Sequence, residues 1–185
     1  SGLGQYPLAL ALAAAGLRER PGPQGACGQC ASCHAIEVRT HPDLCVLLPE
    51  TLSMELGWPL DEKTQDKIDK KEIKASRWIR VEAAREAVAF TQLTRSGGQT
   101  KVVLIHPADR MNTEAANTLL KTLEEPAGAV RFVLATEAAH LLPPTIRSRC
   151  QSHALRWPGE AQALAWLREA TQGDEASARV WWAAG

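Results

Sequence analysis

Three short aliphatic runs, none alternating with polar residues, limit what this chain of 185 residues can fold into more than any other feature. They are Cys45-Val46-Leu47-Leu48, Lys101-Val102-Val103-Leu104-Ile105 and Arg131-Phe132-Val133-Leu134-Ala135. A strand with one solvated face alternates between apolar and polar residues. An unbroken apolar run predicts a strand covered on both faces, as in a parallel sheet with helices above and below. Helical patterns lie between the runs. Val81, Ala84, Val88 and Leu93 form one stripe, with Ser76 ahead of it as a candidate cap. Ala116, Leu119, Leu120 and Leu123 form a second, spaced i, i+3, i+4, i+7. Asn112 can cap that second helix, Glu114 suits its positive end, and Pro126 bars it from continuing past Glu125. The expected fold is α/β: a parallel sheet with flanking helices over residues 1–155.

Composition narrows the class. Apolar residues make up 45% and charged residues 23%, a mixture that suits a globular chain. Lys and Arg together number 21, as do Asp and Glu, so there is no basic excess of the kind a dedicated nucleic-acid binder shows. No apolar run reaches the roughly 18 residues of a membrane span. Pro7 to Leu17 is mostly Ala and Leu but lacks a preceding basic region, so it reads as a helix rather than a signal peptide. The five cysteines are an odd number, and Cys27, Cys30 and Cys33 fall at C-x-x-C-x-x-C spacing. That pattern suits metal-binding thiols in a reducing cytoplasm better than a secreted disulfide framework.

Residues 61–74 carry ten charges of both signs in fourteen positions. They read as a solvated loop or exposed helix inserted at the sheet edge, with a docking surface as the alternative. After Arg156, Trp157-Pro158-Gly159 reads as a hinge. Residues 161–170 and 176–184 look helical, with Trp166, Trp181 and Trp182 as apolar anchors. Two such helices leave apolar surface uncovered, so 156–185 is expected to be the start of a small all-helical lid domain. At the other end, Ser1-Gly2-Leu3-Gly4 leads straight into a helix, a turn that normally follows a strand. The expectation is a piece of a longer chain, truncated at both ends. Gly2 and Gly4 match the later part of a phosphate-binding loop, where a Lys contacts phosphate and a small hydroxyl holds Mg²⁺. Here Gln5 and Tyr6 stand at those two places, and neither side chain can do that work.

The stretch Asn117-Thr118-Leu119-Leu120-Lys121-Thr122-Leu123-Glu124-Glu125-Pro126 resembles the N-A-L-L-K-T-L-E-E-P helix of clamp-loader ATPase-like subunits. Leu142-Pro143-Pro144-Thr145-Ile146-Arg147-Ser148-Arg149-Cys150 resembles their Ser-Arg-Cys motif, and His41-Pro42-Asp43 after a cysteine cluster is a third match. The resemblance covers most of residues 1–153. It is to the AAA+ clamp-loader family of bacterial DNA polymerase III, and within it to the delta prime type. It implies a P-loop NTPase-like sheet with a degenerate loop at Gly2, Gly4, Gln5 and Tyr6. Where the acidic pair that holds Mg²⁺ would follow Val103-Leu104-Ile105, this chain has His106-Pro107. Pro has no acid function, and hard cations prefer oxygen to imidazole nitrogen. Removing one catalytic electrostatic group typically costs about 10²–10³ in rate, so the loss of several leaves no intrinsic ATPase and no ATP bound by this chain.

The resemblance implies a role in trans for Arg149, flanked by Ser148 and Cys150: an arginine finger offered to nucleotide on a neighbouring subunit, with Arg147 as a nearby competitor. A permanent charge on a planar fork matches the oxygens of a phosphoryl group in transit. The partners implied are ATP-binding gamma/tau and delta subunits, with the sliding clamp and primed DNA reached through the assembled complex. Cys27, Cys30 and Cys33 are candidate ligands of a structural zinc, a metal that normally takes four. The family's further cysteine falls here at Arg18, so the fourth ligand is open. His34 adjoins Cys33, and Cys45 starts the next strand. A metal-free loop and a redox role are the other readings of the cluster. The remaining histidines, His41, His106, His140 and His153, read as capping or packing groups. Two rival functions stand beside the first: an ATP-hydrolysing gamma/tau-type subunit, and a zinc-dependent nucleic-acid-binding module.

Overall fold

The computed structural model describes residues 4–17, 30–93 and 100–155, with isolated positions at 159, 161 and 165. The chain divides into two units, Gly2–Ser152 and His153–Gly185, with Ser1 grouped in the latter. Gly2, Cys27, most of the expected hinge and nearly all of the two expected lid helices lie outside the described residues.

The three aliphatic runs form β1 (Leu44–Leu47), β2 (Lys101–Ile105) and β3 (Val130–Leu134). They pair in parallel in the order β1-β2-β3, with Cys45, Val103 and Phe132 side by side. Every residue of β2 is buried, as its unbroken apolar run predicts. The outer strands depart from the expectation of full burial: Leu44, Cys45 and Val46 of β1 and most of β3 are half-buried. A central strand is shielded by neighbours on both sides, whereas among the described residues β1 and β3 each have a strand on one side only.

The period-two alternation of β2 sorts its side chains into two layers. Val103 and Ile105 enter the larger core with Leu47, Ile79, Ala84, Ala87, Leu119 and Ile146, beneath α5 (Val81–Gln92) and α6 (Thr113–Glu124). Val102 and Leu104 face the opposite layer, where α1 (Gln5–Gly16) packs Ala9, Ala13 and Ala14 against them. Small residues bring α1 close to the sheet: a Cβ on Gly16 would stand 3.4 Å from a Val102 methyl. At the start of β2, Lys101 is 2% exposed. Its ammonium donates to the Phe90 carbonyl at 2.7 Å and lies 4.5 Å from that ring's centre, which satisfies both the buried charge and the end of α5.

The first helical stripe needs correction. Ser76 does not cap α5; Arg80 occupies that position, while the Ser76 amide donates to Glu50, the first residue of α3 (Glu50–Leu56), at 2.7 Å and its hydroxyl accepts from the Trp78 amide at 3.0 Å. Leu93 lies past the helix end and is 65% exposed; the buried stripe is Val81, Ala84, Ala87 and Thr91. An extended residue at 93 ends the 3.6-residue period before Leu93 can join it. The second stripe stands as expected. Asn112 Oδ1 accepts from the Ala115 amide at 2.8 Å, Ala116 and Leu119 are buried, and α6 stops at Glu124 before Pro126. The charged stretch contains α4 (Glu62–Asp69), capped by Asp61 through the amides of Lys63 and Thr64, with no buried residue. It is a solvated helix.

Candidate functional site

The N-terminus of α1 meets the carboxyl end of β2. Gly4 precedes α1 with φ at 76°, a conformation glycine adopts without a Cβ penalty. Two residues on, the Tyr6 ring lies against the His106 imidazole, with centroids 5.3 Å apart and planes tilted by 38°. The Trp58 indole N–H donates to the Tyr6 hydroxyl at 2.6 Å. Three side chains from distant parts of the sequence therefore converge over the strand end. Burial is the main influence on His106 and pushes its pKa below the ordinary histidine value, against opposing contributions from the Ala135 backbone and the charges of Asp109 and Glu137. Its Nδ1 is buried without a hydrogen-bond partner. Neither a neutral imidazole nor a phenol carries the positive charge that favours a bound phosphate, imidazole nitrogen is a poor ligand for a hard cation, and the phenol oxygen is engaged by Trp58.

Sequence reasoning missed Asp109, whose charge acts on His106. Asp109 sits on the short helical turn Ala108–Arg110. Its carboxylate accepts from the Thr136 hydroxyl, and that oxygen in turn accepts from the Ala138 amide at 2.9 Å. Asp109 thus ties the segment after β2 to the segment after β3.

Arg149 follows the four-residue α7 (Pro144–Arg147), which Ile146 anchors in the larger core at 0% exposure. The Arg149 guanidinium bonds to groups of its own chain and keeps part of its surface open. Arg149 Nε donates to Glu124 Oε1 at 2.7 Å, and Nη2 contacts the same oxygen. Nη1 donates to the Thr145 carbonyl at 2.6 Å and lies 3.3 Å from the Ser148 hydroxyl. The guanidinium turns one edge to Glu124, at the end of α6, because that carboxylate offers charge-assisted hydrogen bonds within its reach. The Arg149 side chain is still 30% exposed and that of Glu124 47%. Cys150 is half-buried against the core, and burial pushes its thiol up. Glu124 belongs to the quoted helix motif, but nothing in the sequence marked it as the partner of Arg149.

Cys30 precedes α2 (Ala31–Glu37) and Cys33 lies within it, and their sulfurs are 3.5 Å apart. Two thiolates bound to one zinc at about 2.3 Å in tetrahedral geometry stand close to that distance from each other. His34 is turned towards Glu37, 3.9 Å away. Among the described residues no three metal-ligating side chains converge on one point, and Cys27 is not among those residues. Cys45 lies within β1, where burial chiefly, with the charge of Glu86, pushes its thiol up to about 12. His41 Nδ1 accepts from the Asp43 amide at 3.1 Å, a capping role.

Comparison with known proteins bears on this arrangement. The profile of the family described as "DNA polymerase III, delta subunit" matches residues 1–158. The delta' subunit of DNA polymerase III from Pseudomonas aeruginosa is 39% identical over 178 residues, 96% of this chain and 47% of that protein. The delta' subunit from Escherichia coli is 36% identical over 177 residues, 95% of this chain and 46% of that protein. The chain spans about half the length of these curated relatives. Among solved structures, a DNA polymerase III gamma subunit-related protein from Thermotoga maritima matches with a TM-score of 0.50 and 26% identity, over 69% of this chain and 34% of that one. The expected α/β fold, a parallel sheet flanked by helices, is the fold observed. From its first described helix to the end of the Ser148-Arg149-Cys150 turn, this chain belongs to the DNA polymerase III delta subunit family.

Proposed function

We propose that the chain acts as a non-hydrolysing clamp-loader subunit of DNA polymerase III, completing the ATP site of a neighbouring subunit with Arg149. The observation that carries the reading is the closed strand end: Tyr6 packs on His106 and is held by Trp58, where an active subunit would bind phosphate and Mg²⁺. The partners are ATP-binding subunits of the gamma/tau type and a delta subunit. The sliding clamp and primed DNA are reached through the assembled complex. In this reading the chain is required for a reaction whose substrate it does not itself bind. Arg149 suits the role because its guanidinium is a permanent charge, partly exposed, at the turn after α7. A finger supplied in trans contributes roughly 10³–10⁵ in rate.

A structural zinc is part of the proposal. Cys30 and Cys33 fit half of a tetrahedral thiolate site, and Cys27 and a fourth ligand would complete it. Such a metal would fix the loop ahead of α2 and supply no reaction step. Elemental analysis of the purified chain, repeated on Cys30→Ser, tests it; equal zinc in both would reject this ligand set.

Two measurements test the main reading. Calorimetric titration with Mg-ATP is expected to give no saturable heat at millimolar nucleotide, and a micromolar dissociation constant would reject it. Single-turnover hydrolysis in the assembled loader is expected to collapse at the abutting site for Arg149→Ala. Rates equal to wild type would return Arg149 to a structural role.

A further inference from the structure

We propose that Glu124 is a positioning residue for Arg149, holding one edge of the guanidinium so that its other edge is ready to meet a phosphate on a neighbouring subunit. The proposal rests on the arginine-finger reading of Arg149. A guanidinium has five N–H groups. Two of them, on Nε and Nη2, go to the same Glu124 oxygen, and one on Nη1 goes to the Thr145 carbonyl. Nη1 also donates to the Ser148 hydroxyl at 3.3 Å, the longest of these bonds, and a phosphate arriving in bidentate fashion at the Nη1–Nη2 end of the fork would take its place.

The placement of Glu124 supports a role beyond its own helix. A carboxylate in the last turn opposes the helix dipole, which favours cations there. Glu124 is the last residue of α6, so helix stability does not account for it, whereas the contact with Arg149 does. The mounting is rigid. Asn112 caps α6, and Ala115, Ala116, Leu119 and Thr122 bury one face of it. Arg149, by contrast, sits in a turn after a four-residue helix, at the end of a long side chain. A fixed carboxylate removes rotational freedom from that side chain before a partner arrives, which is how a positioned group lowers a barrier. Both side chains are open enough to be met from outside, at 30% and 47% exposure.

The test uses the full-length protein assembled with its ATP-binding subunits, sliding clamp and primed DNA, read by single-turnover ATP hydrolysis at the abutting site. Glu124→Ala is expected to slow hydrolysis roughly 10- to 100-fold, the penalty for a misplaced catalytic group, with nucleotide affinity at that site unchanged. Glu124→Gln, which keeps an acceptor oxygen in place, is expected to recover part of the loss. In an Arg149→Ala background, Glu124→Ala is expected to add nothing. If Arg149→Ala itself runs at the wild-type rate, the finger reading falls and takes this proposal with it. If Arg149→Ala is slow while Glu124→Ala is fast, the finger stands and the positioning role is overturned. A Glu124→Ala loss that persists in the Arg149→Ala background assigns Glu124 to the fold and also overturns it. Should Glu124→Ala fail to fold, the same cycle run with Glu124→Gln decides the matter.

Discussion

Replacing Tyr6 by Phe removes one oxygen from the closed strand end and leaves the ring in place, so its cost is that of a single hydrogen bond. The bond runs from Trp58 Nε1 to Tyr6 Oη at 2.6 Å, at the short end of the range for N–H donors. A typical intramolecular hydrogen bond contributes about 0.5–1.5 kcal/mol net. Both partners are half-buried, so water can reach part of the vacated place, and about 1 kcal/mol is the expected loss. For a chain of this length that corresponds to a fall in Tm of about 2–4 °C. Trp58→Phe removes the donor, but it also trims an indole that lies 5.9 Å from the Arg39 guanidinium. The single variants therefore differ in cost, and only a double-mutant cycle isolates the bond. Urea unfolding followed by circular dichroism, on wild type, Tyr6→Phe, Trp58→Phe and the double variant, is expected to give a coupling near 1 kcal/mol. Strictly additive losses would refute the bond. Because the Phe ring still covers His106, Tyr6→Phe is also expected to bind no Mg-ATP. Saturable binding in that variant would refute the claim that the ring, rather than its hydroxyl, closes the site.

Other expectations follow from the same geometry. Arg149→Ala is expected to change unfolding free energy by about 1 kcal/mol or less in urea melts, because the lost ion pair is partly exposed and screened by solvent. Asn112→Ala is expected to cost about 1 kcal/mol in the same assay, as it removes the cap of α6. With its thiol pushed to about 12, Cys45 is ionised to roughly one part in ten thousand at pH 8. Iodoacetamide followed by peptide mapping should leave it unmodified in the folded chain and modify it in urea. His106 has a folded pKa below the ordinary 6.5, so the unfolded chain binds the proton more readily. Its contribution is complete above about pH 6.5 and declines as pH falls through the lowered value. Unfolding free energy measured between about pH 7 and 5 should therefore fall less steeply in His106→Gln than in wild type; equal slopes would contradict the burial argument.

Local patterns decided a good deal. The run Lys101–Ile105 could only be a strand covered on both faces, because every side chain but the first is aliphatic and no alternation marks a solvated side. Asn112 and Pro126 bracketed α6 because a cap and a helix stop act within one turn of the residues they control. The density of charge in 61–74 alone determined that α4 buries nothing. The quoted motifs are enough by themselves to point to the family that the chain belongs to.

The site was a different matter. Gln5, Tyr6, His106 and Pro107 showed what the strand end lacks, but not what fills it, since Trp58 reaches Tyr6 across 52 positions of sequence. Arg149 was legible as a residue of interest, while its attachment to Glu124 across 25 positions was not. The same holds for Lys101: a cation opening a central strand breaks the apolar pattern, and only the packed structure supplies the Phe90 carbonyl that accounts for it. Periodicity and capping are short-range rules, set by backbone geometry within a turn or a strand pair. Which distant polar groups meet, and so which charges are held or closed off, is fixed only when the sheet and its two helical layers come together.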